Sequence, residues 1–303
     1  MDKGFLSREY NNRELVPDHP QYFARWSEGS QRARSTMSSH LDRRYGDMPG
    51  ETMDLFPARK GDGSCMMFIH GGYWRSLDKK DFSFLAPAWV DAGVSLAVVN
   101  YDLCPKVTID EIVRQMLRAS RWLWLHVEDY GMDQDRLYVS GHSAGGHLAA
   151  MLMAAVWPVF DARLPKDLWK GGLAISGVYD LRPLPHVDFL QPDLRLDEES
   201  ALRLSPAFLP PARAPVMTCV GGDESSEFRR QNALLGERWR GAFAGAQICR
   251  GDDGRARHRQ GSDAGGSDCR KDTGRRWQLR PGRHFRAGAV GHRYRLLGSQ
   301  GQG

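Results

Sequence analysis

Gly141-His142-Ser143-Ala144-Gly145 is the stretch of this sequence with the clearest chemistry. A serine set between glycines at this spacing suits a sharp turn that lifts its hydroxyl out for attack on an acyl carbon. The same pentapeptide can arise by chance in a chain with 33 glycines, so its flanks decide. Leu137-Tyr138-Val139-Ser140 reads as a strand before it, and Gly146-His147-Leu148-Ala149-Ala150-Met151 as a helix after it. That order would hold Ser143 at the carboxyl end of a sheet and at a helix N-terminus. There the helix dipole and the Ala144 N–H favour the negative charge of a tetrahedral intermediate. The His142 side chain is expected to point away from the serine, which removes it as the base. His147 reads as a packed helix residue.

A second constellation lies upstream. His70-Gly71-Gly72-Tyr73-Trp74 follows the apolar run Met66-Met67-Phe68-Ile69. A Gly-rich turn after a strand offers backbone N–H groups to an oxyanion, here from Gly71, Gly72 or both. Glycine suits the place because a Cβ would stand in the way of the substrate carbonyl. A plain glycine turn is the alternative, but both motifs in the expected order are hard to obtain by accident. Tyr73 and Trp74 either line a pocket for an aromatic substrate or serve as structural aromatics. His70 reads as a support of the loop and not as a proton carrier.

The third member of a serine–histidine–acid set is sought at the end of a late strand, where it orients the histidine and stabilises its imidazolium. Val216-Met217-Thr218-Cys219-Val220 ends in Gly221-Gly222-Asp223-Glu224. The spacing Gly221-x-x-Glu224 favours Glu224, and Asp223 stays open; the loser would N-cap the next helix. With the chain order serine, acid, histidine, only His258, His284 and His292 follow Glu224.

These groups need a sheet to hold them. Short apolar runs at 51–57, 65–69, 94–99, 136–140, 172–176 and 215–220 read as strands, and after them only 247–249 is legible as a last one. Helical spacing appears at 21–41, 81–91, 109–127, 145–156 and 225–239. Alternating strands and helices predict an α/β fold with a mostly parallel central sheet and helices on both faces. Residues 1–50 read as an N-terminal lead-in and 51–250 as the main domain. Prolines crowd 157–214, which predicts a cap or lid inserted between core strands.

Composition excludes other classes. The chain has 303 residues, 41% hydrophobic and 26% charged, as for an ordinary globular protein. The opening Met-Asp-Lys-Gly-Phe-Leu-Ser-Arg-Glu holds no apolar stretch fit for a signal peptide, and no run approaches a membrane span. Five cysteines without a CxxC pair predict buried thiols in a reducing, cytoplasmic setting, with neither disulfides nor a metal site. The net charge of +5 is uneven: residues 251–303 hold twelve of the 42 Lys+Arg and five of the 37 Asp+Glu. That leaves 30 basic against 32 acidic residues before them, unlike a uniformly basic nucleic-acid binder. The expected partner is a small-molecule substrate, with no membrane; a homodimer is left open.

Together these segments resemble the arylformamidases, or kynurenine formamidases, of the α/β-hydrolase superfamily. The matching stretches are His70-Gly71-Gly72-Tyr73-Trp74, Gly141-His142-Ser143-Ala144-Gly145-Gly146, and Gly221-Gly222-Asp223-Glu224-Ser225-Ser226-Glu227-Phe228 with Arg229-Arg230-Gln231. Glu9-Tyr10-Asn11-Asn12-Arg13 and Gly50-Glu51-Thr52-Met53-Asp54-Leu55-Phe56-Pro57 are similar to bacterial members. The resemblance spans about residues 5–250 and implies an α/β-hydrolase fold, no metal and no cofactor. It also implies hydrolysis of N-formyl-L-kynurenine to L-kynurenine and formate in tryptophan degradation, with small aryl esters cleaved by related members.

The tail departs from that pattern. The resemblance implies a histidine close after residue 250, yet the chain reads Gly251-Asp252-Asp253-Gly254. Residues 251–303 are rich in glycine and arginine with few aliphatic residues, the composition of a poorly folding segment or of an RNA-binding tail. A frameshift in the coding sequence after about Asp253 would account for it. With suitable codons, 254–268 read one base later contains His-Val-Ile-Asp-Arg-Ala-Leu. In the chain as written, His258 is the available base, set between two arginines that disfavour its protonated form.

Overall fold

Runs of aliphatic residues become the central strands because both of their faces are covered. Ser95–Val99 (β4) is buried at all five positions. Along β2 (Thr52–Phe56), β3 (Cys65–Ile69) and β4, side chains alternate between two apolar layers. Met53, Leu55, Met67, Ile69, Ala97 and Val99 face one layer. Phe56, Phe68, Leu96 and Val98 face the other. The computed structural model describes residues 2–249. Within them the sheet also contains β1 (His40–Arg44), β5 (Leu137–His142), β6 (Gly171–Ile175), β7 (Val216–Gly221) and β8 (Phe243–Cys249).

The strand order is β1-β2-β4-β3-β5-β6-β7-β8. The β1–β2 and β2–β4 pairs are antiparallel, and every pair from β4–β3 to β7–β8 is parallel. Parallel strands bring their carboxyl ends to one edge of the sheet. Register sharpens this: Ile69 lies beside Gly141, His142 beside Ile175, and Ile175 beside Cys219. The loops after β3, β5, β6 and β7 therefore emerge side by side.

The helices are α1 (Lys3–Tyr10), α2 (Asn12–Leu15), α3 (His19–Thr36), α4 (Ala86–Asp91), α5 (Ile109–His126), α6 (Ala144–Ala154), α7 (Trp157–Phe160), α8 (Gln191–Leu194), α9 (Glu198–Arg203) and α10 (Ser226–Arg238). In α5, Ile109, Ile112, Met116, Ala119 and Leu123 recur at helical spacing and are buried, and Thr108 caps the first turn through Glu111 N. α6 is buried almost throughout, so its apolar sequence shows no single face.

Three expectations change. The helix expected over 81–91 is two short 3₁₀ turns followed by α4. The helix expected over 21–41 ends at Thr36, and the chain then enters β1, an edge strand. β1 is polar and mostly exposed, as edges that must stay unpaired tend to be, and its composition hid it. The last strand, legible only around 247–249, begins at Phe243.

A buried ion cluster fastens the N-terminal elements to the loop after β3. Lys79 is 3% exposed and donates to Asp54 and Asp42, each at 2.6 Å; Arg34 of α3 also donates to Asp54. Asp54, with no exposed surface, further accepts the Asp42 N–H at 2.8 Å.

Candidate active site

Ser143 sits between β5 and α6 with φ 57° and ψ −118°. A non-glycine residue in this region is strained and persists only where its surroundings fix it. Its N–H donates to Ile175 O at 2.8 Å, and its C=O accepts the His147 N–H at 3.1 Å. The turn can be this tight because Gly141 carries no side chain (a Cβ there would come within 2.1 Å of Gly145 O), and it can lie against β3 because Gly145 carries none (a Cβ there would come within 2.0 Å of Ile69 O). Ala144 follows as the first residue of α6, so its N–H is among those left without an intrahelical acceptor.

The loop after β3 lies against the serine. A Cβ on Gly71 would stand 3.1 Å from Ser143 Cβ and 2.8 Å from His142 O. Only glycine leaves that gap open. Gly72 follows with φ 104°. Tyr73, Trp74 and Leu77 also adopt positive φ, so the loop carries backbone strain at three non-glycine residues.

His70 braces this loop from beneath. Its Nδ1 meets Gly71 O at 2.8 Å and its Nε2 meets Asn100 Oδ1 at 3.1 Å. Tyr101 stacks on the imidazole at 4.2 Å and donates its hydroxyl to His70 O at 3.0 Å. Fixing the Gly71 carbonyl also fixes the opposed Gly72 N–H, since the peptide unit is planar. Burial pushes the His70 pKa down, against the opposing pull of its bonds to Gly71 and Asn100.

Glu224 folds back toward the same edge of the sheet. Its Oε1 accepts from Ser176 Oγ at 2.5 Å and from Gly221 N at 2.7 Å. Ser176, itself at φ 48°, directly follows Ile175, whose carbonyl holds Ser143. Asp223 is exposed. The cap of α10 is Ser225, whose hydroxyl accepts from Phe228 N, so neither acid fills that post.

The two aromatics separate. Tyr73 directs its hydroxyl to Tyr10 O at 2.6 Å and sets its ring edge-on to Phe189 at 6.4 Å. Trp74 has no accessible surface and packs edge-on to His147 at 5.0 Å. The reading of Trp74 as a substrate contact gives way to its structural alternative, because a fully enclosed indole offers nothing to a ligand. His147, on the buried side of α6, meets Leu204 O at 2.7 Å, and burial lowers its pKa to about 4.

The structure thus brings Ser143, Ala144, Gly71, Gly72, Tyr73 and Glu224 to the carboxyl edge of the sheet. His258 lies outside the described residues, as do His284 and His292. His142 turns its ring to Gly71 (Nδ1 would lie 3.3 Å from a Cβ there), and burial lowers its pKa against an opposing pull from Glu224. Sequence reading missed Ser176 and Asn100. Each is a lone polar residue just past an apolar strand, and that position is the one signal it gives. Among the described residues no cluster of His, Cys, Asp and Glu could hold a metal, and no helix is long and apolar enough to cross a membrane.

A family model described as BD-FAE matches residues 53–168. Kynurenine formamidase of Salmo salar is 35% identical over 241 residues, covering 77% of this chain and 79% of that protein. Its counterpart in Danio rerio is 35% identical over 212 residues, 67% of this chain and 70% of that one. Among solved structures, a candidate thioesterase from Silicibacter sp. superposes with a TM-score of 0.70 at 29% identity, covering 80% of this chain and 90% of that one.

Proposed function

The chain belongs to the kynurenine formamidase family, and on that premise we propose that it hydrolyses N-formyl-L-kynurenine to L-kynurenine and formate with Ser143 as the nucleophile. The observation that carries the residue assignment is the approach of Gly71 to Ser143 at a strained strand-to-helix turn.

Ser143 Oγ attacks the formamide carbonyl while a histidine takes its proton. The N–H groups of Gly71, Gly72 and Ala144 receive the oxyanion, each worth about 3–4 kcal/mol of transition-state stabilisation. The histidinium then protonates the departing aryl amine, and water releases formate from formyl-Ser143. Glu224 orients the histidine, and its bonds from Ser176 and Gly221 hold the carboxylate still. We assign the base to His258 in the chain as written. A shift of reading frame after Asp253 would instead replace residues 254–303 and supply another histidine. We place the reaction in the cytoplasm, on a small molecule.

The test is formamide hydrolysis by this chain and by a frame-corrected version, with p-nitrophenyl acetate alongside. Release of kynurenine that disappears in Ser143→Ala supports the proposal. Ester turnover with no formamide turnover in either version replaces it with a carboxylesterase. A fluorophosphonate that never labels Ser143 in folded protein leaves a hydrolase fold without catalysis. Sequencing the gene across codon 253 decides the origin of the tail.

A further inference from the structure

We infer that Tyr10 is a positioning residue: it clamps the loop carrying Gly71 and Gly72 to the segments that carry and hold Glu224. The inference rests on the roles proposed above for those three residues. Tyr10 is the last residue of α1, where backbone carbonyls have no intrahelical donor. Its C=O takes the hydroxyl of Tyr73, the residue directly after Gly72, at 2.6 Å. Its side chain reaches the other way, donating its hydroxyl to Glu227 Oε1 at 2.7 Å and accepting from Gln231 Nε2 at 3.0 Å. Glu227 lies three residues beyond Glu224.

Gln231 extends the clamp to a third segment. Its Oε1 accepts the N–H groups of Tyr179 and Asp180, each at 2.8 Å. These residues follow Ser176, the hydroxyl that holds Glu224. Glu9 adds a second fastening of α1, accepting from Ser226 Oγ at 2.6 Å and from Glu227 N at 3.2 Å.

Burial makes these bonds count. Tyr10 and Gln231 have no exposed surface, so water cannot replace a lost partner. Tyr73, at one end of the clamp, adopts positive φ, and so does Ser176, three residues before Tyr179 at the other. Such backbone holds its shape only when neighbours over-determine it. α1 supplies one of those constraints across 63 residues of sequence on the Tyr73 side and more than 200 on the Glu227 side.

The test is amide hydrogen exchange along the full chain, read together with the rate of fluorophosphonate labelling of Ser143. In Tyr10→Phe, which removes the hydroxyl bonds to Glu227 and Gln231 and leaves the Tyr10 carbonyl to Tyr73, exchange over 222–227 should rise about tenfold while α5 keeps its wild-type protection, and labelling should slow by a similar factor. Tyr73→Phe should raise exchange over 70–74 alone. If the wild-type chain is labelled, normal exchange over 222–227 in Tyr10→Phe together with normal exchange over 70–74 in Tyr73→Phe overturns the inference. So does a rise spread evenly over the molecule, which marks loss of global stability only. A wild-type chain that is never labelled counts against Ser143 as nucleophile and removes the catalytic meaning of the clamp.

Discussion

Ser176 donates its hydroxyl to Glu224 Oε1 at 2.5 Å, one residue along from the Ile175 carbonyl that holds the Ser143 N–H at 2.8 Å. Ser143 and Glu224 are thus fastened to consecutive residues at the end of β6. Relative placement of the two depends on that strand as much as on their own loops.

Ser176→Ala removes one of the two donors to Glu224 and leaves the Gly221 N–H. The carboxylate gains freedom, and kcat/KM for formamide hydrolysis should fall about tenfold, near the worth of one hydrogen bond to a charged group. A circular-dichroism melt should show little change. Unaltered kcat/KM would mean that the Gly221 amide positions Glu224 alone.

Gly71→Ala places a methyl group 3.1 Å from Ser143 Cβ and 2.8 Å from His142 O. The loop must retreat, and with Gly71 in its proposed role the oxyanion would lose a donor. Turnover should drop on the order of 10²–10³-fold with a smaller change in KM. Steady-state kinetics on purified variant checks this, and a pure KM effect would place the oxyanion elsewhere.

Stability should depend on pH through buried histidines. His147 has its pKa lowered to about 4 by burial, against an ordinary value near 6.5. Between those values the unfolded chain binds a proton that the folded chain refuses. The stabilisation from keeping this ring neutral is complete above about pH 6.5 and is lost as pH falls toward 4. Its size is about 3 kcal/mol. His70 and His142, also lowered by burial, act with the same sign. Denaturant unfolding at pH 7 and pH 4.5 measures the sum, and His147→Gln should flatten the dependence.

Asp54→Ala leaves the enclosed ammonium of Lys79 with a single, exposed carboxylate partner, Asp42, and deprives Arg34 of its buried one. Breaking a buried ion pair from one side costs about 3–5 kcal/mol, because the remaining charge stays out of water. Equilibrium unfolding should show that loss. The double variant Asp54→Ala with Lys79→Met should recover part of it.

The sequence by itself determined what local spacing can express. Gly-x-Ser-x-Gly between a strand and a helix needs only near neighbours, and the parallel sheet follows from the alternation of apolar runs with amphipathic ones. The choice between Asp223 and Glu224 was different. The two are adjacent in sequence, and what sets Glu224 apart is, besides its near neighbour Gly221, the Ser176 hydroxyl brought to it by the pairing of β6 with β7. Trp74 followed Tyr73 in one motif, yet burial against His147 gave it another part, which no spacing records. β1, the Asp54–Lys79 cluster and the Tyr10 clamp likewise depend on residues far apart in the chain. Periodicity reports which face of an element is apolar. Which polar group meets which across the interior is fixed only when the sheet order and its register are.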